Sequence, residues 1–199
     1  MKYYLKKAII GLVYLIFASI TGYGIMFIPA DMAWVRIVLL ILNVGLYSYV
    51  LSQTAFQDGQ AAYKVRMLND LNRKQIILTG EDLPIDTKSE YKAYKGLIIG
   101  LVICFPLIVL LIIHSIMGIV NPNNLDYGVT ASFIYLSFYA FAGVGVKVDY
   151  LFTTVSPYWA LLAIPVIMAV EGFFFYAGGR KIELQQEMIK EKHKMLHGE

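Results

Sequence analysis

Long apolar runs without charge constrain this chain more than any other feature. Four such runs reach the length of about 20 residues that a helix needs to cross the hydrocarbon core of a bilayer. Because backbone amides in lipid must be paired within their own segment, each run is predicted to be α-helical. The four predicted spans cover residues 8–28, 34–55, 96–120 and 158–178. The sequence therefore predicts an all-α fold, an integral membrane helical bundle with four transmembrane helices.

Charged residues are few, and they flank the apolar runs. They make up 16% of the chain, against roughly 25% in an average soluble domain. We interpret the net charge of +3 as a signal of membrane orientation, and we predict no nucleic-acid partner. The basic start resembles that of a signal peptide, but the apolar run after it is too long and no cleavage pattern follows, so a retained span is predicted. The expected location is the cytoplasmic (inner) membrane of a bacterium, with the lipid bilayer as a partner.

The distribution of lysine and arginine predicts the topology. Four spans place 15 of these residues on the cytoplasmic side and 2 outside, whereas a fifth span over residues 129–146 gives 11 and 6. Since basic residues favour the cytoplasmic side, four spans with both termini in the cytoplasm are predicted, and five spans stay as the alternative. The outer-face segment 121–157 contains FIYLSFYAF, which is typical of an interfacial or re-entrant aromatic helix.

Two polar segments are predicted on the cytoplasmic side. In loop 57–95, apolar residues near helical spacing predict a helix that continues from the second span or folds back beneath it, up to a break at Gly80 and Pro84. Tail 179–199 begins at the pair Gly178–Gly179, which we interpret as a helix stop. The partial apolar stripe of the tail predicts an amphipathic helix. The loop is either a solvated connector or a docking site for a protein partner. The tail is either a solvated helix, a basic amphipathic helix on the inner leaflet or a short coiled contact with a protein partner.

Glu171 is the one ionisable residue well inside a predicted span. It lies nine positions before Arg180, which places it about 13 Å from that end of the span. A carboxylate facing lipid at this depth costs about 2.5–3.5 kcal/mol, so we expect it to face protein or water. Either it is a proton or cation site, or it is protonated or paired and braces the bundle, with Tyr176, Asn43 or a tyrosine of another span as candidate partners.

Three further polar residues are candidates for a role within the membrane. Asn43 lies in the middle of its span and is expected to hydrogen-bond across a helix interface. Arg36 and His114 lie near the outer ends of their spans, where Arg36 can snorkel and His114 can reach water. If their helices pack as neighbours, the two residues would line one outer vestibule with Asp31 and Asp126.

The sequence contains none of the familiar catalytic or metal-binding motifs. It has no phosphate-binding glycine loop, nucleophile elbow, zinc-protease helix or paired cysteines. Its single cysteine, Cys104, permits no internal disulfide and no thiolate metal cluster. His193 and His197 are four residues apart, but without a third ligand they do not predict a metal site. We therefore predict a protein that is not an enzyme and has no cofactor.

The third and fourth predicted spans have distinctive entry and exit residues. The third begins with a Lys-Gly entry, and the fourth carries prolines and ends in an aromatic-Gly-Arg exit. These residues are Lys95, Gly96, Gly100, Pro106, Pro157, Pro165, Tyr176, Gly179 and Arg180. In these features the C-terminal half resembles uncharacterised small multi-pass membrane proteins of Gram-positive bacteria. The resemblance implies four spans with both termini inside, and it implies no activity.

Two classes of function follow from these predictions. The first is a non-enzymatic accessory or partner-binding membrane subunit, whose loop and tail are available on the cytoplasmic side. The alternative is a small transporter or channel component that uses Glu171 in a polar cavity and works either alone or as a homo-oligomer. A membrane enzyme is the least favoured class because no nucleophile, base or metal constellation is evident.

Overall fold

The computed structural model describes residues 2–25, 28, 32–120 and 157–197. Within these ranges every regular element is a helix. The elements are α1 (Lys2–Ile25), α2 (Ala33–Thr79), α3 (Lys95–Val120), a 3₁₀ helix (Pro157–Leu162) and α4 (Ala163–His197). Each α-helix contains a stretch that is long and apolar enough to cross a membrane. The prediction of an all-α fold with four such helices is therefore confirmed.

The helices form a bundle in which each one packs on two neighbours. α1 packs against α2 and α3, and α4 packs against the same two helices. Lys7, near the start of α1, pairs with Asp58 of α2, whereas Ala18 of α1 is bonded by Asn43 of α2. α1 and α2 are therefore antiparallel. α3 is likewise antiparallel to α4, and α2 and α4 run in the same direction.

The bundle is apolar both in its interior and over much of its outer surface. The interior is filled by side chains from all four helices, among them Leu15, Leu51, Ile103, Ile167 and Phe175. Large apolar side chains also point outwards from every helix, among them Phe17, Leu46, Phe105 and Phe173. So much exposed apolar surface is unfavourable in water, but acyl chains would cover it in a bilayer.

α2 is longer than a bilayer requires. Its 47 residues span about 70 Å, against a hydrocarbon core of about 30 Å. The helix ends at Thr79, where Gly80 has a left-handed φ of 72° and its N–H donates to the Ile76 carbonyl oxygen at 2.9 Å. Of the two arrangements predicted for the start of loop 57–95, the structure has the continuing helix, and it ends at the predicted glycine.

The helix stop predicted at Gly178–Gly179 is wrong, since α4 runs through both glycines for 35 residues. A glycine ends a helix by adopting a positive φ, and among the described residues only Gly80 does so. At Gly178 the missing side chain allows a close helix contact instead. A Cβ on Gly178 would lie 2.1 Å from the carbonyl oxygen of Phe56 in α2. The start of the predicted tail therefore continues the fourth helix.

Beyond the apolar bundle, α2 and α4 continue side by side as a two-helix stalk, which we define as residues 56–79 and 179–195. The backbones touch where the stalk begins, because a Cβ on Gly59 would lie 2.0 Å from the carbonyl oxygen of Phe175. We call the end of the bundle from which the stalk projects the stalk end, and the opposite end the far end.

Several predictions concern residues outside the described ranges. They include the aromatic helix in the outer-face segment 121–157, of which only the last residue is described, and the alternative fifth span over 129–146. Asp31 and Asp126, predicted to line an outer vestibule, also lie outside the described residues.

Candidate functional site

Ionisable side chains from three helices converge at the stalk end of the bundle. Lys7 of α1 forms an ion pair with Asp58 of α2, and both side chains are mostly buried. Glu171 of α4 is only 4% exposed. The charges that act on its carboxyl group are those of Asp58 and Lys7. We call Lys7, Asp58 and Glu171 the polar cluster.

Glycines of α3 allow this burial of Glu171. A Cβ on Gly96 would lie 2.5 Å from the Glu171 carbonyl oxygen, and one on Gly100 would lie 3.3 Å from the Glu171 Cβ. Leu97, between them, packs against Gly172 of α4. The backbone of α3 therefore lies directly against this turn of α4. Glu171 faces protein and not lipid, as the cost of exposing a carboxylate to lipid requires.

The polar cluster contains one ammonium group, that of Lys7, and two carboxyl groups, those of Asp58 and Glu171. Lys7 makes its direct contact with Asp58, and within the described ranges no hydrogen-bond donor reaches the Glu171 carboxyl group. Tyr47 of α2 also interacts electrostatically with Glu171. Because both carboxyl groups attract Lys7, a proton or a cation gained at either one changes the balance between them. The same arrangement can also simply brace three helices.

Asn43 binds across the α1–α2 interface and does not reach Glu171. Its Nδ2 donates to the carbonyl oxygen of Ala18 at 2.7 Å, and its Oδ1 accepts from the Thr21 hydroxyl at 2.7 Å. The cross-helix hydrogen bond expected of Asn43 is therefore confirmed. Tyr176, another partner considered for Glu171, is about half exposed on the surface of α4.

Arg36 and His114 lie at the far end, and each has different neighbours. Arg36 donates from Nε to the Ile28 carbonyl oxygen at 2.5 Å, which ties α2 to the chain after α1. His114 is fully buried, with its ring 6.0 Å from that of Tyr158 in the 3₁₀ helix. The Tyr158 hydroxyl lies 2.9 Å from Ser115 Oγ, which holds the 3₁₀ helix over this part of α3. The expectation that His114 reaches water is therefore wrong.

The four candidate residues from the sequence thus do not form one site. Glu171 lies at the stalk end, Asn43 braces two helices at mid-length, and Arg36 and His114 lie at the far end. In the structure Glu171 lies within electrostatic range of Lys7 and Asp58, two residues that were not among the predicted candidates. The sequence gives little indication of their role, because each lies at the polar edge of an apolar run, where charged residues are common.

The segment that follows α2 folds back along it and is held by buried polar contacts. Asn69, almost fully buried, donates from Nδ2 to the Asp86 carbonyl oxygen at 2.9 Å and accepts the Asp86 N–H at 3.0 Å. Arg73 donates from its two terminal nitrogens to the Glu90 carboxylate at 3.3 and 3.1 Å. We call residues 81–94 the return segment. These contacts give the stalk a third, non-helical strip.

Asp86 also orders the return segment from within. Its carboxylate accepts the N–H groups of Lys88 and Ser89 at 3.0 and 3.1 Å. Hydrogen bonds from the Ser89 hydroxyl and amide, and from the Lys88 amide, lower the pKa of the Asp86 carboxyl group. The carboxylate therefore stays ionised at neutral pH and keeps this turn closed.

Lys95 is a buried cation whose role the sequence analysis missed. The side chain is 2% exposed, and its Nζ donates to the carbonyl oxygens of Lys88, at 2.6 Å, and of Glu90. The same Nζ lies 5.3 Å from the ring centre of Tyr3 in α1. Lys95 therefore joins the return segment, the start of α3 and the start of α1. In the sequence it is only a lysine before an apolar run, which is typical of a membrane surface.

Aromatic rings close the base of the stalk. Tyr91 of the return segment stacks on Phe175 of α4, with ring centres 5.6 Å apart and planes 6° apart. Tyr63 of α2 meets Tyr91 edge-on, with centres 5.5 Å apart. The Tyr91 ring also covers Gly179, where a Cβ would lie 2.2 Å from a ring carbon. One tyrosine thus packs against both stalk helices.

A groove of about 300 Å³ opens further along, between the two stalk helices. The residues that line it on α2 recur at helical spacing. The stalk groove, as we call it, is lined by Tyr63, Arg66, Met67, Leu71 and Lys74 of α2 and by Lys190 of α4. Both apolar and basic groups are therefore available for binding there.

Comparison of the chain with protein-family models, with curated proteins and with solved structures finds no match. The class of molecule is therefore defined by its own fold. In its described residues it is an α-helical bundle with four helices that could cross a membrane, a polar cluster at one end and a two-helix stalk beyond it. The resemblance to small multi-pass proteins of Gram-positive bacteria stays a prediction.

Proposed function

We propose that the protein is an integral membrane protein with four spans that acts, without catalysis, as an accessory or partner-binding subunit. The observation that supports this best is the stalk, in which two helices leave the bundle together and the return segment is bonded along one of them. A plain connector has only to link two spans, whereas this assembly presents a defined surface. With the stalk and both termini in the cytoplasm, 15 of the 17 basic residues lie on that side.

Exposed apolar side chains on the stalk favour docking over simple solvation. Leu71 of α2 is 62% exposed and Ile189 of α4 is 63% exposed, and Leu68 is exposed to a similar extent. All three lie beyond the length of helix that a bilayer covers. Apolar surface in this position is unfavourable in water and becomes favourable when a protein covers it. The covering protein can be a different chain or a second copy of this one.

Replacing Leu68 and Leu71 together by serine is expected to reduce partner capture roughly tenfold, because apolar side chains at the centre of an interface carry much of its binding energy. The bundle should stay folded, since both side chains are already exposed. The measurement is co-purification with the tagged full-length chain from native membranes in mild detergent. Capture of the same proteins in the same amounts by the serine variant would contradict the proposal.

The polar cluster favours a second candidate function, that of a small transporter or channel component. Glu171 is buried within electrostatic range of the Lys7–Asp58 ion pair, in a helix apolar enough to cross a membrane. Ionisable groups in such positions frequently belong to proton or cation pathways. In this function the chain would work alone or as a homo-oligomer.

The variant Glu171→Gln separates the two candidate functions. Glutamine keeps the size of the side chain but cannot ionise, so a transporter would lose proton-driven or sodium-driven flux in proteoliposomes. A partner-binding subunit would keep its co-purified proteins, which is the result we expect. Glu183→Gln, at an exposed ion pair with Arg180 outside the bundle, is the matched control. Flux present in the wild type and absent only in Glu171→Gln would favour the transporter.

A further inference from the structure

The stalk groove has an apolar floor and a basic rim. Tyr63, which is 8% exposed, Met67 and Leu71 follow one another along α2 at spacings of four residues and form the floor. Arg66 and Lys74 border it on α2, and Lys190 borders it on α4. The floor therefore suits apolar side chains, and the rim suits anionic ones.

The basic rim has few acidic neighbours. Glu183 and Glu187 of α4 act on Tyr63 together with Arg66, and Glu183 is paired with Arg180. Within the described residues, Arg66, Lys74 and Lys190 form no ion pair. The acidic residue in the groove, Asp70, is bound by Arg73 at 3.0 Å. Arg66 lies 5.9 Å from the ring centre of Tyr63, which positions its guanidinium over the floor. The groove thus keeps an excess of positive charge for an anionic occupant.

The distance from the bilayer separates the groove from lipid headgroups. Residues 63 to 74 follow the predicted span that ends at residue 55, so they lie about 12–28 Å beyond the hydrocarbon edge for a helix near the bilayer normal. The headgroup layer is only about 5–8 Å thick on each side. Most of the groove therefore lies in water, where a protein is a better occupant than a phospholipid.

We propose that the stalk groove binds an acidic amphipathic α-helix of a partner protein, an inference that rests on the partner-binding function above. The apolar face of that helix packs on Tyr63, Met67 and Leu71 and completes a three-helix arrangement with α2 and α4. Arg66 and Lys74 are eight residues apart, about 12 Å along the axis, which matches carboxylates two turns apart on the incoming helix. Lys190 meets it from the other side.

A photo-cross-linking amino acid at Leu71 in the full-length chain tests this in native membranes. We expect cross-links to a peptide of another protein that has net negative charge and apolar residues at helical spacing. The double reversal Arg66→Glu with Lys74→Glu should lower the cross-linked yield roughly tenfold or more, because opposite charges at the rim become like charges. The double change Arg66→Lys with Lys74→Arg should keep most of it.

The matched control reverses two lysines of the same stalk that do not line the groove, Lys64→Glu with Lys192→Glu, and it should leave the yield unchanged. Cross-links to a second copy of this chain, to lipid or to a segment without net negative charge would overturn the inference. So would a yield that the Arg66 and Lys74 reversal does not change. If partner proteins still co-purify with that reversed variant, the inference alone has failed; if the wild type captures none, the partner-binding function has failed.

Discussion

Replacing Gly178 by alanine is expected to destabilise the molecule by about 3 kcal/mol, the upper end of the usual cost of overpacking. The added Cβ would lie 2.1 Å from the carbonyl oxygen of Phe56. A backbone atom cannot rotate away as the tip of a side chain can, so α2 and α4 would have to separate where the stalk leaves the bundle. Gly59→Ala should have a similar effect, because its Cβ would meet the Phe175 carbonyl oxygen at 2.0 Å.

Gly45 provides the matched control for this experiment. It lies in α2, and a Cβ added there has nothing within 4 Å. Alanine favours a helix over glycine by about 0.5–1 kcal/mol, so Gly45→Ala should unfold no earlier than the wild type. Thermal unfolding in detergent, followed by circular dichroism, measures all three variants. A Gly178→Ala protein that unfolds at the wild-type temperature would contradict the close contact between α2 and α4.

Replacing Lys95 by methionine is expected to cost about 3 kcal/mol, because hydrogen bonds to a charged group contribute about 1.5–3 kcal/mol each. Methionine fills a similar volume but donates no hydrogen bond to the carbonyl oxygens of Lys88 and Glu90. The contact of the ammonium group with the Tyr3 ring is lost as well. The return segment should therefore detach from the start of α3 before the bundle itself unfolds.

Limited proteolysis within residues 81–94 measures this detachment, and thermal unfolding measures the loss of stability. Lys92→Met is the control, since it removes an exposed lysine from the same segment. We expect rapid cleavage of the Lys95→Met protein and wild-type resistance for Lys92→Met. Equal resistance of the two variants would mean that the buried ammonium group does not hold the segment.

The helices themselves could be predicted from the sequence, because the physics behind them is local. A run of about 20 apolar residues has few alternatives to a helix in lipid, and the described residues of all four runs are helical apart from Ile28. The end of α2 could also be predicted from the sequence, since Gly80 can adopt the left-handed φ that a helix C-cap favours. Hydrogen bonding of Asn43 across an interface followed from the cost of a bare amide in lipid.

The errors and omissions concern contacts between elements distant in sequence. A glycine pair such as Gly178–Gly179 can either end a helix or allow a neighbouring helix to approach closely, because both depend on the missing Cβ. Here the pair allows close approach, since Gly178 packs against the backbone of Phe56 in α2. His114 is buried, and one ring beside it, that of Tyr158, comes from a residue 44 positions later in the sequence. The depth of Glu171 was readable from its position, but its proximity to Lys7 and Asp58 depends on how α1 and α2 align.

The unbroken passage of α2 and α4 into the stalk has a mechanical consequence. In the described residues both helices are continuous from the bundle to the groove, with no proline and no positive-φ glycine in that stretch. The tip of α2 lies about 36 Å beyond residue 55, so a tilt of α2 relative to α4 would pivot at their close contacts, Gly59 with Phe175 and Phe56 with Gly178. Asp58 lies beside these contacts on α2, whereas its ion-pair partner Lys7 belongs to α1. A tilt of α2 against α1 would therefore change the geometry of that ion pair.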